Sequence, residues 1–104
     1  MSACMIYVTT STREEAVGIA RQLVESRLAA CANVLPAVTS VYWWRDALQE
    51  DSEAVLIVKT RRDLVGEVTA KVKELHSYDC PCVVSIHLEG GNEDYFEWIA
   101  KETR

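Results

Sequence analysis

A chain of 104 residues, 49% hydrophobic and 26% charged, has the size and composition of one globular domain, able to bury a core without disulfide or metal staples. That balance excludes a disordered chain. With 11 basic against 16 acidic residues the net charge is -5, and the densest basic run is only Lys59, Arg61 and Arg62. Nucleic acid, which needs clustered cations to displace its counterions, is therefore not an expected partner.

Residues 4–10 (CMIYVTT), rich in β-branched and aromatic side chains, read as a strand. Ser11 and Thr12 each stand three residues before a glutamate, Glu14 and Glu15, the spacing of a capping box. Ala16, Ile19, Ala20, Leu23, Val24 and Leu28 follow the i, i+3, i+4, i+7 rule and predict an amphipathic helix over 13–28. Residues 31–44 (CANVLPAVTSVYWW) are extended, and Pro36, which cannot donate to a ladder, marks a bulge, bend or edge position. The polar segment 45–51 (RDALQED) reads as a turn, and 52–60 (SEAVLIVKT) as the returning strand of a long hairpin. Asp63 is the candidate cap of a second helix with the face Leu64, Val65, Val68, Val72 and Leu75, ending near His76. A turn at 77–81, a strand at 82–88 (CVVSIHL), a break at Gly90-Gly91 and an N-cap at Asn92 before a helix over 93–102 complete the chain.

The order β-α-β-β-α-β plus a terminal helix is that of an α+β, ferredoxin-like sandwich, an antiparallel sheet with both main helices on one face. One such domain is expected over 1–104. The open face of such a sheet ordinarily alternates apolar and polar residues. Here both alternate sets are apolar in Ala54-Val55-Leu56-Ile57-Val58, Val83 and Val84 are both apolar, and Tyr42, Trp43 and Trp44 crowd the hairpin. A sheet without a polar side needs shelter from further copies of the chain, so a homo-oligomer is predicted.

Met1-Ser2-Ala3-Cys4-Met5 lacks the basic segment and apolar run of a signal peptide, and no apolar run approaches the ~20 residues of a membrane span. The chain is expected in the cytoplasm, without a membrane partner, and with Cys4, Cys31, Cys80 and Cys82 as reduced thiols.

The sharpest chemistry-bearing cluster is His76-Ser77-Tyr78-Asp79-Cys80-Pro81-Cys82. Thiolates and imidazoles suit Cu(I) and Zn(II), and Cys80 and Cys82 share a face wherever the segment is extended. His87 falls on the strand face opposite Cys82, and the spacing matches no usual zinc pattern. The cluster points to a copper site using His76 or a thiol; its bland alternative is small buried cysteines and a solvated histidine. Cys31, in the apolar stretch 28–33, reads as core. The pairs Glu14/Glu15, Glu50/Asp51 and Glu93/Asp94 lie at helix starts or in a turn, where dipoles and solvation account for them. Lys59 reads as half-buried near the open face, snorkelling or at an interface. An acylphosphatase-type hydrolase would need a phosphate-cradling arginine loop after the first strand, but Arg13 falls inside the helix start. No catalytic residues are expected.

Taken in order, several stretches resemble the CutA family of divalent-cation tolerance proteins over nearly the whole chain. They are Tyr7-Val8-Thr9-Thr10, Leu28-Ala29-Ala30-Cys31-Ala32-Asn33, Thr39-Ser40-Val41-Tyr42-Trp43-Trp44 and Leu56-Ile57-Val58-Lys59-Thr60-Arg61, then His76-Ser77-Tyr78 and Gly91-Asn92-Glu93-Asp94-Tyr95 with Trp98. The resemblance implies a homotrimer, similar to PII-type nitrogen-signalling proteins, with a part in tolerance to copper and other heavy metals. In some members a first-strand cysteine and two adjacent histidines after the second helix hold copper. Those positions here are Val8 and Leu75-His76, so His76 alone carries over, and a copper ion would draw on Cys80 or Cys82 instead. The alternative is a PII-like sensing trimer, with a small ligand in intersubunit clefts near Trp44, Lys59 and Tyr78.

Overall fold

The structure, a computed structural model, describes residues 2–104; Met1 lies outside them. Strand β1 (Ala3–Thr10) leads into helix α1 (Arg13–Glu25), then β2 (Cys31–Trp44) and β3 (Ala47–Arg61). A 3₁₀ turn (Arg62–Leu64) precedes α2 (Val65–Leu75), followed by β4 (Val83–His87) and α3 (Glu93–Glu102). The sheet order is β2-β3-β1-β4 with every pair antiparallel, the ferredoxin-like arrangement.

One sheet face meets α1 and α2. Alternation brings Cys4, Ile6 and Val8 of β1 beside Ala54, Leu56 and Val58 of β3, and these pack on Ala16, Ile19 and Leu23 of α1 and Val68 and Val72 of α2. Each fully buried aliphatic side chain in such a core contributes roughly 1.5–3 kcal/mol relative to exposure.

Helix α1 starts as its capping pattern requires. Thr12 Oγ1 accepts from Glu15 N at 3.1 Å, while the Glu15 carboxylate reaches back to the backbone and hydroxyl of Ser11. It ends three residues before the expected Leu28. Arg27 turns left-handed (φ 65°), and the amides of Leu28 and Ala29 close on Leu23 O, a C-terminal turn that folds Leu28 back into the core. Leu28 thus belongs to the apolar pattern without belonging to the helix, and Val24 is left exposed.

The expected turn over 45–51 is shorter. Arg45 and Asp46 alone make it, both with positive φ (51° and 61°), as a two-residue type I′ hairpin demands. Residues 47–51 continue the ladder, pairing Leu48 with Trp43 and Asp51 with Ser40. Polarity misleads there because the hairpin projects beyond the body (the molecule is 44 Å along its longest axis), so its strand residues face water. The register shift between Leu35 and Val38 puts Pro36 at a bulge of edge strand β2. Asp63 does not cap α2, which has no side-chain cap; its carboxylate instead meets Arg61 Nε at 3.3 Å.

The second sheet face is only partly covered. Helix α3, capped by Asn92 on Asp94 N, lays Ile99 and Phe96 over Ala3 and Ala30 at one end. The rest stays open: Val84 and Ile86 of β4 are 51% and 47% exposed, with Leu35 and, out on the hairpin, Trp43 also in solvent.

Candidate functional site

A cleft of about 570 Å³ opens where the hairpin leaves the body. Tyr42, Trp44 and Glu53 line it from β2 and β3, and Tyr78, Cys80 and Cys82 from the segment between α2 and β4. Buried His76 anchors that segment. Its side chain is wholly shielded from solvent. Tyr78 N donates to its Nδ1 at 3.0 Å, so Nε2 must carry the ring proton and donate to Thr9 O at 2.7 Å. Glu15 adds a second anchor, since Oε2 accepts from Ser77 N at 2.7 Å. Burial opposes the charge on this carboxylate, but hydrogen bonds from Ser77 and Ser11 outweigh it and draw its pKa below the ordinary value.

Tyr78 donates its hydroxyl to Glu53 Oε2 at 2.7 Å, and Tyr42 donates to Asp51 Oδ2 at the same distance. Burial and the Glu53 carboxylate push the Tyr78 phenol well up, so it remains neutral. Burial first and Glu53 second also raise the Cys82 thiol, which disfavours the thiolate that a nucleophile or a metal ligand requires.

The residues singled out in the sequence therefore separate. Trp44, Tyr78, Cys80 and Cys82 share the cleft. Cys80 and Cys82 are exposed. His76 stands behind the wall with both ring nitrogens already engaged, leaving no lone pair for a metal in this arrangement. Val8 is fully buried in the core, so hydrocarbon fills the first-strand ligand position, and Leu75 is half-buried against the same core. Among the described residues no three His, Cys, Asp or Glu side chains converge as a metal-binding group.

Lys59 does not line the cleft. It lies six residues along β3 from Glu53, about 20 Å away at strand rise, donating to Asn33 Oδ1 at 3.1 Å with its ammonium 5.6 Å from the Tyr95 ring centre. Cys31, expected in the core, is half-buried on that second face instead, its sulfur 3.3 Å from Tyr95 Oη. That contact, with burial, pushes Tyr95 up to about 12. Sequence reasoning missed Glu53. A signal existed: it alternates with Val55 and Ile57, a carboxylate in line with an apolar face.

The CutA1 divalent ion tolerance protein profile matches residues 4–102. The chain belongs to that family. It is 42% identical over 94 residues to the divalent-cation tolerance protein CutA of Archaeoglobus fulgidus, covering 90% of this chain and 91% of the relative. It is 41% identical over 100 residues to the chloroplastic CutA 1 of Oryza sativa, covering 96% of this chain. The chain spans 56% of that rice protein's length and 55% of its Arabidopsis thaliana counterpart's. Among solved structures, CutA1 from Oryza sativa superposes with a TM-score of 0.97 at 39% identity, covering 100% of this chain and 95% of that one. The Thermus thermophilus protein gives 0.95 at 37%, covering 98% and 99%. These matches agree with the ferredoxin-like fold expected from the order of elements.

Proposed function

We propose that the chain serves tolerance to divalent cations as a cytoplasmic homotrimer that takes a soft metal ion, copper foremost, weakly and through thiols. Family membership supports the general role. The observation that carries the finer reading is the shared lining: Cys80 and Cys82 stand on one cleft, and a pair of thiols favours a soft ion such as Cu(I). Affinity is modest because, among the described residues, the donors do not converge as a preformed group of three, and because burial, with Glu53 second, favours the protonated Cys82 thiol. The proposed role is binding, and Cys82, its thiol pushed up by burial and Glu53, is the reverse of an activated nucleophile. The support for that compartment, the cytoplasm, is that Cys4, Cys31, Cys80 and Cys82 are all free thiols, as fits a reducing environment.

The open apolar strip of Val84, Ile86 and Leu35 supports assembly. Burying a few hundred Å² there is worth several kcal/mol at about 25 cal/mol per Å². Titration with Cu(I) tests the metal reading: Cys80→Ala with Cys82→Ala should abolish saturable binding, whereas the wild-type protein saturates. Retained binding in the double variant removes it. Sedimentation tests the assembly. Ile86→Asp should shift the trimer toward single subunits, and a wild-type protein that sediments as one subunit ends the trimer proposal.

A second reading is a sensing trimer that binds a small molecule. Its support is the cleft, whose volume lies within the roughly 300–1,000 Å³ of small-ligand sites and whose wall mixes aromatic rings with a few polar groups. A thermal-shift screen of small metabolites tests it; no stabilisation by any compound would reject it.

A further inference from the structure

The cleft has a consistent electrostatic sign. Among the described residues no lysine, arginine or histidine lines it, while Glu53 and Asp79 do, and the chain as a whole carries -5. Its aromatic wall is Tyr42, Trp44 and Tyr78. Both tyrosine hydroxyls are committed as donors, Tyr78 to Glu53 and Tyr42 to Asp51, so neither is free to donate to an anionic ligand. The Trp44 ring is already a surface on which a cation rests: the guanidinium of neighbouring Arg45 lies 5.6 Å from the ring centre.

From this lining we infer that the cleft selects an aliphatic ammonium of the polyamine class, its methylenes against the aromatic wall and its charged nitrogens beside Glu53 and Asp79. The inference rests on the small-molecule reading above and names its ligand class. Aromatic faces attract cations through the ring quadrupole and accept methylenes by contact, a pairing that suits an alkyl chain bearing ammonium groups. An ammonium needs carboxylate acceptors but no closed coordination shell. That matches a wall where carboxylates are present yet do not converge with other donors as a metal-binding group.

The titration of the lining groups agrees. Hydrogen bonding to Asp51 raises Tyr42, and burial raises Tyr78 and Cys82; in all three Glu53 is a further cause. The negative charge of Glu53 thus acts on all three groups, and a cleft lined by carboxylates and aromatic rings focuses such a field.

Calorimetric titration of the full chain in its native assembly at physiological ionic strength tests the inference. The probes are spermidine and 1,8-octanediol, its neutral counterpart of equal chain length. Spermidine is expected to bind and the diol not to. Glu53→Gln should weaken spermidine about tenfold through loss of a charged acceptor. Trp44→Leu, which changes no charge at an exposed site, should weaken it about fivefold. Tyr42→Leu on the same wall is the second variant, and a thermal melt checks that each is folded. If the diol binds as tightly as spermidine, the cleft is a small-molecule site without charge selection, and the inference fails while the reading beneath it stands. Equal spermidine binding by wild type and all three variants would mean condensation on an acidic surface, which also overturns it. Binding of neither probe removes the inference and deprives the small-molecule reading of its best candidate.

Discussion

His76→Ala separates a structural clamp from a metal ligand. The side chain is fully shielded, and its two nitrogens join β1 to the segment after α2 through Thr9 O and Tyr78 N. Truncation removes both hydrogen bonds and strands a carbonyl and an amide, each costing roughly 1–3 kcal/mol where water cannot replace the partner. Tyr78 borders an open cleft, so water recovers part of its loss, and a total of about 2–4 kcal/mol is expected. For a domain near this length, each kcal/mol lowers Tm by roughly 4–8 °C, so the fall should be about 8–32 °C. The assay is thermal unfolding at one fixed protein concentration, because any assembly makes Tm concentration-dependent. His76→Gln, which keeps an amide able to reach one partner, should recover part of the loss. A destabilisation below about 0.5 kcal/mol, accompanied by loss of copper affinity, would refute the reasoning and return the ring to the metal.

Three further outcomes follow from the geometry. Asp46→Gly should stabilise the hairpin by about 0.5–1 kcal/mol, because glycine takes the left-handed turn position without strain, and it leaves the Arg45–Trp44 contact in place; an unchanged or lower Tm contradicts this. The Glu15 pKa is depressed in the fold, so its contribution is present above the unfolded value near 4.3 and disappears as pH falls through the lower folded value; Glu15→Gln should flatten acid unfolding in that window, and an unaltered acid profile contradicts it. Tyr95 is raised to about 12, so its contribution is present below the unfolded value near 10 and is lost as pH climbs toward 12. Cys31→Ala should bring Tyr95 back toward the ordinary range in an absorbance titration of tyrosinate, and an unmoved transition argues against the sulfur contact as its cause.

Periodicity made most of the architecture readable. The alternation of β1 and β3 and the spacing of Ala16, Ile19 and Leu23 are enough to specify a sheet under a helix. Boundaries were less readable because the same apolar signal serves different backbones: Leu28 is buried by a left-handed turn at Arg27, and Asp51 is polar in a strand that has left the body. The site divides along the same line. Trp44, Tyr78, Cys80 and Cys82 come together because a hairpin and one short connection meet. Which ring nitrogen of His76 faces Tyr78 N, and that Glu53 holds Tyr78 across 25 positions, are facts of tertiary packing that no local spacing encodes.

The two ends of the second sheet face differ in what they ask of a neighbour. At the α3 end the chain supplies its own cover, with Ile99 buried and Lys59, Asn33, Tyr95 and Cys31 satisfying one another in pairs. At the β4 end Val84 and Ile86 are left without such cover, and the hairpin carries Trp43 into solvent. Apolar area draws subunits together only where it is uncovered, so the proposed assembly should seat on β4 and the hairpin rather than around α3. The cleft shares the hairpin as one of its walls, with the His76-anchored segment as the other. Any occupant that fixes the two walls relative to each other then also fixes the surface a neighbour would meet, and binding and assembly should be linked by the same free energy in both directions.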